Sequence, residues 1–174
     1  MMQDAAPATM TDDETAIFAE QVFDCARRGD ADLLTRLLGS GLPVNLRNGK
    51  GDTLLMLASY HGHFKAVQVL LKHGADPLLA NDNGQMPIAG AAFKGDLPMI
   101  KLLLEHGVPV DAAAADGRTA LMLAAMFNRS EILEFLLAHG ADPSLQDARG
   151  ATALVAAQTM GAVDAAARLQ ALAG

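Results

Sequence analysis

The chain has little cysteine and little positive charge. Cys25 is the only cysteine in 174 residues, which excludes an internal disulfide and suits a reducing compartment. Lys, His or Gly breaks every apolar run, so none approaches the ~18 residues that a membrane-spanning helix needs. The opening Met1-Met2-Gln3-Asp4 has no basic segment with an apolar stretch behind it, so no secretory signal is read there. The expectation is a cytoplasmic protein. Only 13 Lys and Arg stand against 20 Asp and Glu, for a formal charge of −7. Residues 1–30 hold seven acids against Arg27 and Arg28, so −5 of the −7 lies at one end and the remaining 144 residues are nearly balanced. No basic stripe is left to follow a phosphate backbone, which excludes nucleic acid as an expected partner. The acidic end reads as a solvated, helix-capping run, with contact to a basic partner as the alternative.

What the sequence does have is a period. From Gly51, steps of 33 residues reach Gly84, Gly117 and Gly150, and the same steps carry Ala58 to Ala91, Ala124 and Ala157. Thr53 becomes Met86, Thr119 and Thr152, and His73-Gly74 returns as His106-Gly107 and His139-Gly140. No insertion breaks the register. Within each unit a small residue at the Ala58 position permits close helix approach. Val67, Leu70 and Leu71 become Ile100, Leu103 and Leu104, then Leu133, Leu136 and Leu137, a row that repeats from unit to unit as core. Gly62, Gly95 and Gly161 separate the two helices of a unit where a left-handed backbone is cheap, and Asn128 takes that place in the fourth.

A fixed 33-residue period of a turn and two short helices, with these landmarks, resembles the ankyrin-repeat family. The pattern fits units at 49–81, 82–114 and 115–147, with degenerate units at 12–48 and 148–174 as caps after a leader at 1–11. The resemblance implies an all-α solenoid of stacked helix-turn-helix units with β-turn loops, forming a single domain over 12–174. Thr11 to Glu14 reads as a capping box that starts the first helix, with Ile17, Phe18, Val22 and Cys25 as its apolar face. The chain departs from the family where Thr-Pro-Leu-His is expected. The His is absent from every unit, Met86 replaces a capping hydroxyl, and the unit at 82–114 is therefore expected to be the least regular. Pro98 is tolerated because it follows Asp96 into a first helical turn.

Chemistry was sought among the histidines. His73, His106 and His139 recur in register, yet units about 8–10 Å apart cannot share a zinc that needs nitrogens at about 2.0–2.1 Å. They are read as facing the last carbonyls of their own helices. A sensor of metal or small ligand, or an enzyme, using these histidines is the alternative; it would need convergent acid–base groups, which the spacing opposes. Asn48-Gly49-Lys50-Gly51 lacks the residues of a phosphate loop. Cys25 reads as core. No cofactor, metal or catalytic residue is expected.

Function then rests on surface. The resemblance implies a non-catalytic protein-interaction module, an adaptor or a regulator or inhibitor of one enzyme, which binds a protein in its concave face as a monomer. The family's variable pair before the inter-helix Gly maps onto Tyr60-His61, Phe93-Lys94 and Met126-Phe127, a row rich in aromatics and Met as interface centres are. Inward packing as core is the alternative for Phe93 and Met126. Asn83, Gln85, Asp116 and Arg118, at the loop tips, are the expected polar rim.

Overall fold

The computed structural model describes residues 11–173, so the expected leader lies outside the described residues apart from Thr11. Ten helices follow in five helix hairpins: α1 (Asp12–Arg28) with α2 (Ala31–Gly39), α3 (Leu54–Tyr60) with α4 (Phe64–Lys72), and α5 (Pro87–Lys94) with α6 (Leu97–Glu105). Then come α7 (Ala120–Met126) with α8 (Ser130–Ala138), and α9 (Ala153–Met160) with α10 (Val163–Ala173). Among the described residues there is no extended strand, only single antiparallel bridges at Arg47–Thr53 and Ala113–Thr119 in the loops that precede α3 and α7. This is an all-α solenoid.

Local sequence explains where the helices begin. Thr53, Thr119 and Thr152 each accept a hydrogen bond from the backbone amide three residues on, so α3, α7 and α9 start on a hydroxyl cap. Met86 offers no side-chain cap to α5, which starts on Pro87 instead. Asp96 caps α6 through Met99, and Pro98 falls in its first turn. Thr11 and Glu14 form the reciprocal capping box at α1. Asn128 has φ 51°, the only positive value outside glycine among the described residues. A short polar side chain tolerates that left-handed backbone better than most.

The odd-numbered helices form one row, α1 against α3, α3 against α5, α5 against α7 and α7 against α9. Ala58, Ala91, Ala124 and Ala157 are fully buried in it, and with no bulk beyond a methyl they let the helix axes approach. The outer helices bring the large groups. Val67, Leu70, Ile100, Leu103, Leu133 and Leu136 are buried in one apolar cluster that runs from Val22 to Leu169. Each such leucine contributes about 1.5–3 kcal/mol by leaving water. The inner helices pack on one another more closely than the outer ones do, and a groove lies along the inner row.

One expectation about the first helix needs correction. Ile17 is 61% exposed and Phe18 36%, whereas Phe23 is buried beside Val22, Cys25 and Ala26. The reason is length. With 17 residues, α1 starts well before the neighbouring inner helices, and its first two turns have nothing to pack against. At the other end Val155, Met160 and Val163 are exposed. Val155 occupies the register position of Met56 and Met122, both buried, and α9 is the last inner helix of the described residues.

Candidate functional site

The inner helices and loop tips enclose a groove of about 1040 Å³. Tyr60, at the end of α3, and Phe93, near the end of α5, stand 41% and 40% exposed along it. Aromatic rings this open along a groove are a surface feature and not part of the core. Phe127, just past α7, also lines the groove and meets Phe93 edge to face, with ring centres 4.8 Å apart and planes at 88°. Lys94 reaches back one unit and places its Nζ 4.6 Å from the centre of the Tyr60 ring, a cation–π contact. His61 stands edge-on to the same ring at 5.5 Å. Met126 shares the register of Tyr60 and Phe93; it and Phe127 are both half-buried against the core, and of the two only Phe127 lines the groove.

A residue absent from the expected set explains why Tyr60 fits. Gly90, in the middle of α5, takes the register position of Leu57 and Leu123, and a Cβ there would lie 3.3 Å from Tyr60 Cδ2. The missing side chain gives the ring its seat. A glycine inside an eight-residue helix, at a position leucine otherwise fills, was the available signal.

Polar groups border the opposite side. Asn81 is the organiser: its Oδ1 accepts from the amides of Asn83 and Gln85, and its Nδ2 donates to Asp52 and to Gln85 Oε1. Asn48 orders the preceding tip in the same way, accepting from Lys50 and Asp52. Asn83, Gln85 and Arg118 line the groove; Asp116 does not, but pairs with Arg118 at 2.6 Å. Arg27 closes the α1 end, bridged to Glu20 and Asp24 at 2.8 and 2.6 Å. Side-chain bonds to these carboxylates, Glu20 foremost, push its guanidinium pKa up.

The repeated histidines do not converge. Each turns its Nδ1 to the carbonyl four residues earlier in its own helix, His73 to Val69 at 2.8 Å, His106 to Leu102 at 2.8 Å and His139 to Phe135 at 2.7 Å. The ring thus adds a second hydrogen bond to a helix-end carbonyl that already accepts the same histidine's backbone amide. Cys25 is buried, and desolvation is the largest cause raising its thiol pKa, with Asp30 adding to it. That is the opposite of what an activated nucleophile needs. Among the described residues no cluster of three metal-ligand side chains occurs, and no helix is long and apolar enough to cross a membrane.

Comparison with known proteins bears on the whole repeat. A family profile described as ankyrin repeats (3 copies) matches the overlapping stretches 22–114, 73–147 and 91–172. A putative ankyrin repeat protein of Pseudomonas aeruginosa is 56% identical over 64 residues, 37% of this chain and 37% of that protein. Ankyrin repeat domain-containing protein 29 is 46% identical over 59 residues in Danio rerio and 48% over 59 in Homo sapiens, each match taking in 33% of this chain. The matched segment spans about a third of the bacterial relative's length and a fifth of the two vertebrate ones.

Proposed function

The chain belongs to the ankyrin-repeat family, whose members are generally protein–protein interaction modules, and from that premise we propose that it binds one protein partner in its concave groove without catalysis. The observation that supports this most is the open aromatic row. Tyr60 and Phe93 remain two-fifths exposed on the groove, and exposed aromatics flanked by polar groups are what an interface centre requires. Tyr60, Phe93 and Phe127 are the anchors. His61, Lys94, Asn83, Gln85 and Arg118 supply directional contacts around them, with Asp116 holding Arg118 in place and Met126 supporting Phe127 from the core. The protein works as a cytoplasmic monomer, an adaptor or a regulator of the enzyme it holds.

The test is a comparison of binding by wild type and a Tyr60→Ser/Phe93→Ser variant shown by circular dichroism to be folded. Both side chains are exposed, so the fold tolerates their loss. A partner captured from native extract by the wild type, then purified, should lose at least about tenfold in affinity, since central anchors each carry 2 kcal/mol or more. Equal affinity for both proteins rejects the groove as the site.

A further inference from the structure

Neighbouring helix hairpins in this array are tied by polar bonds at three places: the loop tips, the turn between the two helices of a hairpin, and the loop behind the outer helix. The ties are not evenly shared. Behind the outer helices, Asn45 Oδ1 accepts from the Asp76 amide at 2.9 Å, joining the first hairpin to the second. Two units on, Asp111 Oδ1 accepts from the Asp142 amide at 3.0 Å, joining the third to the fourth. Between the second and third the same positions are Leu78, which has no acceptor in its side chain, and Pro109, which has no amide hydrogen.

The inter-helix turns repeat this pattern. His63 Nε2 donates to the Arg27 carbonyl at 2.7 Å, and Arg129 Nη2 donates to the Phe93 carbonyl at 3.3 Å. The matching residue between them is Asp96, a carboxylate that accepts from Met99 and has no hydrogen to give the Tyr60 carbonyl. Asn128 ties the fourth hairpin to the fifth, accepting from Ala165 and donating to Asp164. Among the described residues, the hydrogen bond that joins the second hairpin to the third is at the loop tips, where the Asp82 amide donates to the Lys50 carbonyl.

We propose that the array hinges between α3/α4 and α5/α6, with the loop tips as the fixed edge and the Tyr60–Gly90–Lys94 contact on the edge that opens. The groove widens there to admit its partner. Its bearing on partner entry rests on the groove reading above; the hinge itself does not. On the free edge, among the described residues, the polar contact that spans the junction is Lys94 over Tyr60, which is exposed and weak compared with the bonds it replaces.

The test is a set of distance distributions between paired spin labels in the otherwise intact chain. Lys72, Glu105 and Ala138 are exposed, each the last residue of its outer helix, and buried Cys25 leaves labelling selective. A Lys72→Cys/Glu105→Cys pair across the proposed hinge should give a broader distribution than a Glu105→Cys/Ala138→Cys pair across the next junction. Restoring the missing tie with Leu78→Asp/Pro109→Asp should narrow the first distribution, cutting the opened fraction about fivefold for one hydrogen bond. Equal widths in the two wild-type pairs overturn the hinge. A folded restored variant that stays broad overturns it too, and if that variant does not fold, the wild-type pairs still decide. A broad first pair in a protein whose Tyr60→Ser/Phe93→Ser variant binds normally keeps the hinge and rejects the groove reading.

Discussion

Replacing Gly90 by alanine should stabilise the protein while disturbing its groove. Gly90 lies inside α5 with an ordinary helical backbone, so alanine gains about 0.8–1.0 kcal/mol of helix propensity. Against that stands the new Cβ, 3.3 Å from Tyr60 Cδ2. Tyr60 is 41% exposed and can shift by the few tenths of an ångström required. Its shift weakens the Lys94 contact, worth about 0.5–1 kcal/mol at an exposed site. The net gain is about 0–0.5 kcal/mol. In a Tyr60→Ala background both penalties vanish and the same substitution should give the full gain of about 1 kcal/mol, so the double-mutant cycle reads the Gly90–Tyr60 coupling directly. Urea denaturation measures the energies. Because Tyr60 is the only tyrosine and there is no tryptophan, intrinsic fluorescence reports that ring alone. A loss of 1 kcal/mol or more in both backgrounds, or an unchanged tyrosine signal in Gly90→Ala, refutes the assignment of Gly90 as the seat of Tyr60.

Other consequences are open to single measurements. Gly84 and Gly150 both hold φ near +75° (71° and 81°), but a Cβ on Gly84 would overlap Ala115 while one on Gly150 meets nothing, so in denaturation Gly84→Ala should cost at least about 1 kcal/mol more than Gly150→Ala. Leu103→Ala, at a fully buried position, should cost about 2–5 kcal/mol, whereas Leu145→Ala on the surface should stay within about 0.5 kcal/mol in the same melts. Hydrogen bonds from backbone amides, Ala151 first, hold Asp147 below the ordinary carboxylate range, so the stability it adds is present above about pH 4 and fades as pH falls through its depressed folded pKa. Asp147→Asn, the residue type found at 48 and 81, should flatten that acid limb, as a urea series against pH would show. Burial raises the Cys25 thiol, so its contribution is intact below about pH 8.5 and declines above it, and labelling by an aromatic disulfide should be slow until the first hairpin opens.

The fold was legible because the repeat states it several times. Thr at 53, 119 and 152, Ala at 58, 91, 124 and 157, and the leucine row each mark the same geometry, and Met86, read as a lost hydroxyl, gives α5 no side-chain cap where α3, α7 and α9 have one. The start of α1 was less legible, because Ile17 and Phe18 carry core chemistry on turns that no other described helix covers. Periodicity reports which face a residue is on and cannot report whether anything covers it. The aromatic row was recoverable from register, yet its split at the fourth unit was not. Met126 and Phe127 are adjacent and both half-buried against the core, and only packing decides that Phe127 is the one that also lines the groove.

The departures of this chain from its own period gather at one junction. Met86 removes a cap, Gly90 removes a leucine, Asp96 cannot donate, Leu78 cannot accept and Pro109 has no amide hydrogen, and all five border the contact between the second and third hairpins. In an array where each unit touches only its neighbours, the location of a weakness matters as much as its size. Four losses of about 0.5–1 kcal/mol, Leu78 and Pro109 being the two ends of one missing bond, would soften every interface if spread along the stack. Placed together they lower the coupling between two well-packed halves and leave each half intact, the first pair of hairpins joined through Asn45 and His63 and the later three through Asp111, Arg129 and Asn128. The exposed aromatics lie across that same boundary, Tyr60 on one side and Phe93 on the other. A partner that grips both rings would therefore set the angle between the halves at little cost, and its binding energy would go into fixing that angle and not into unfolding either side.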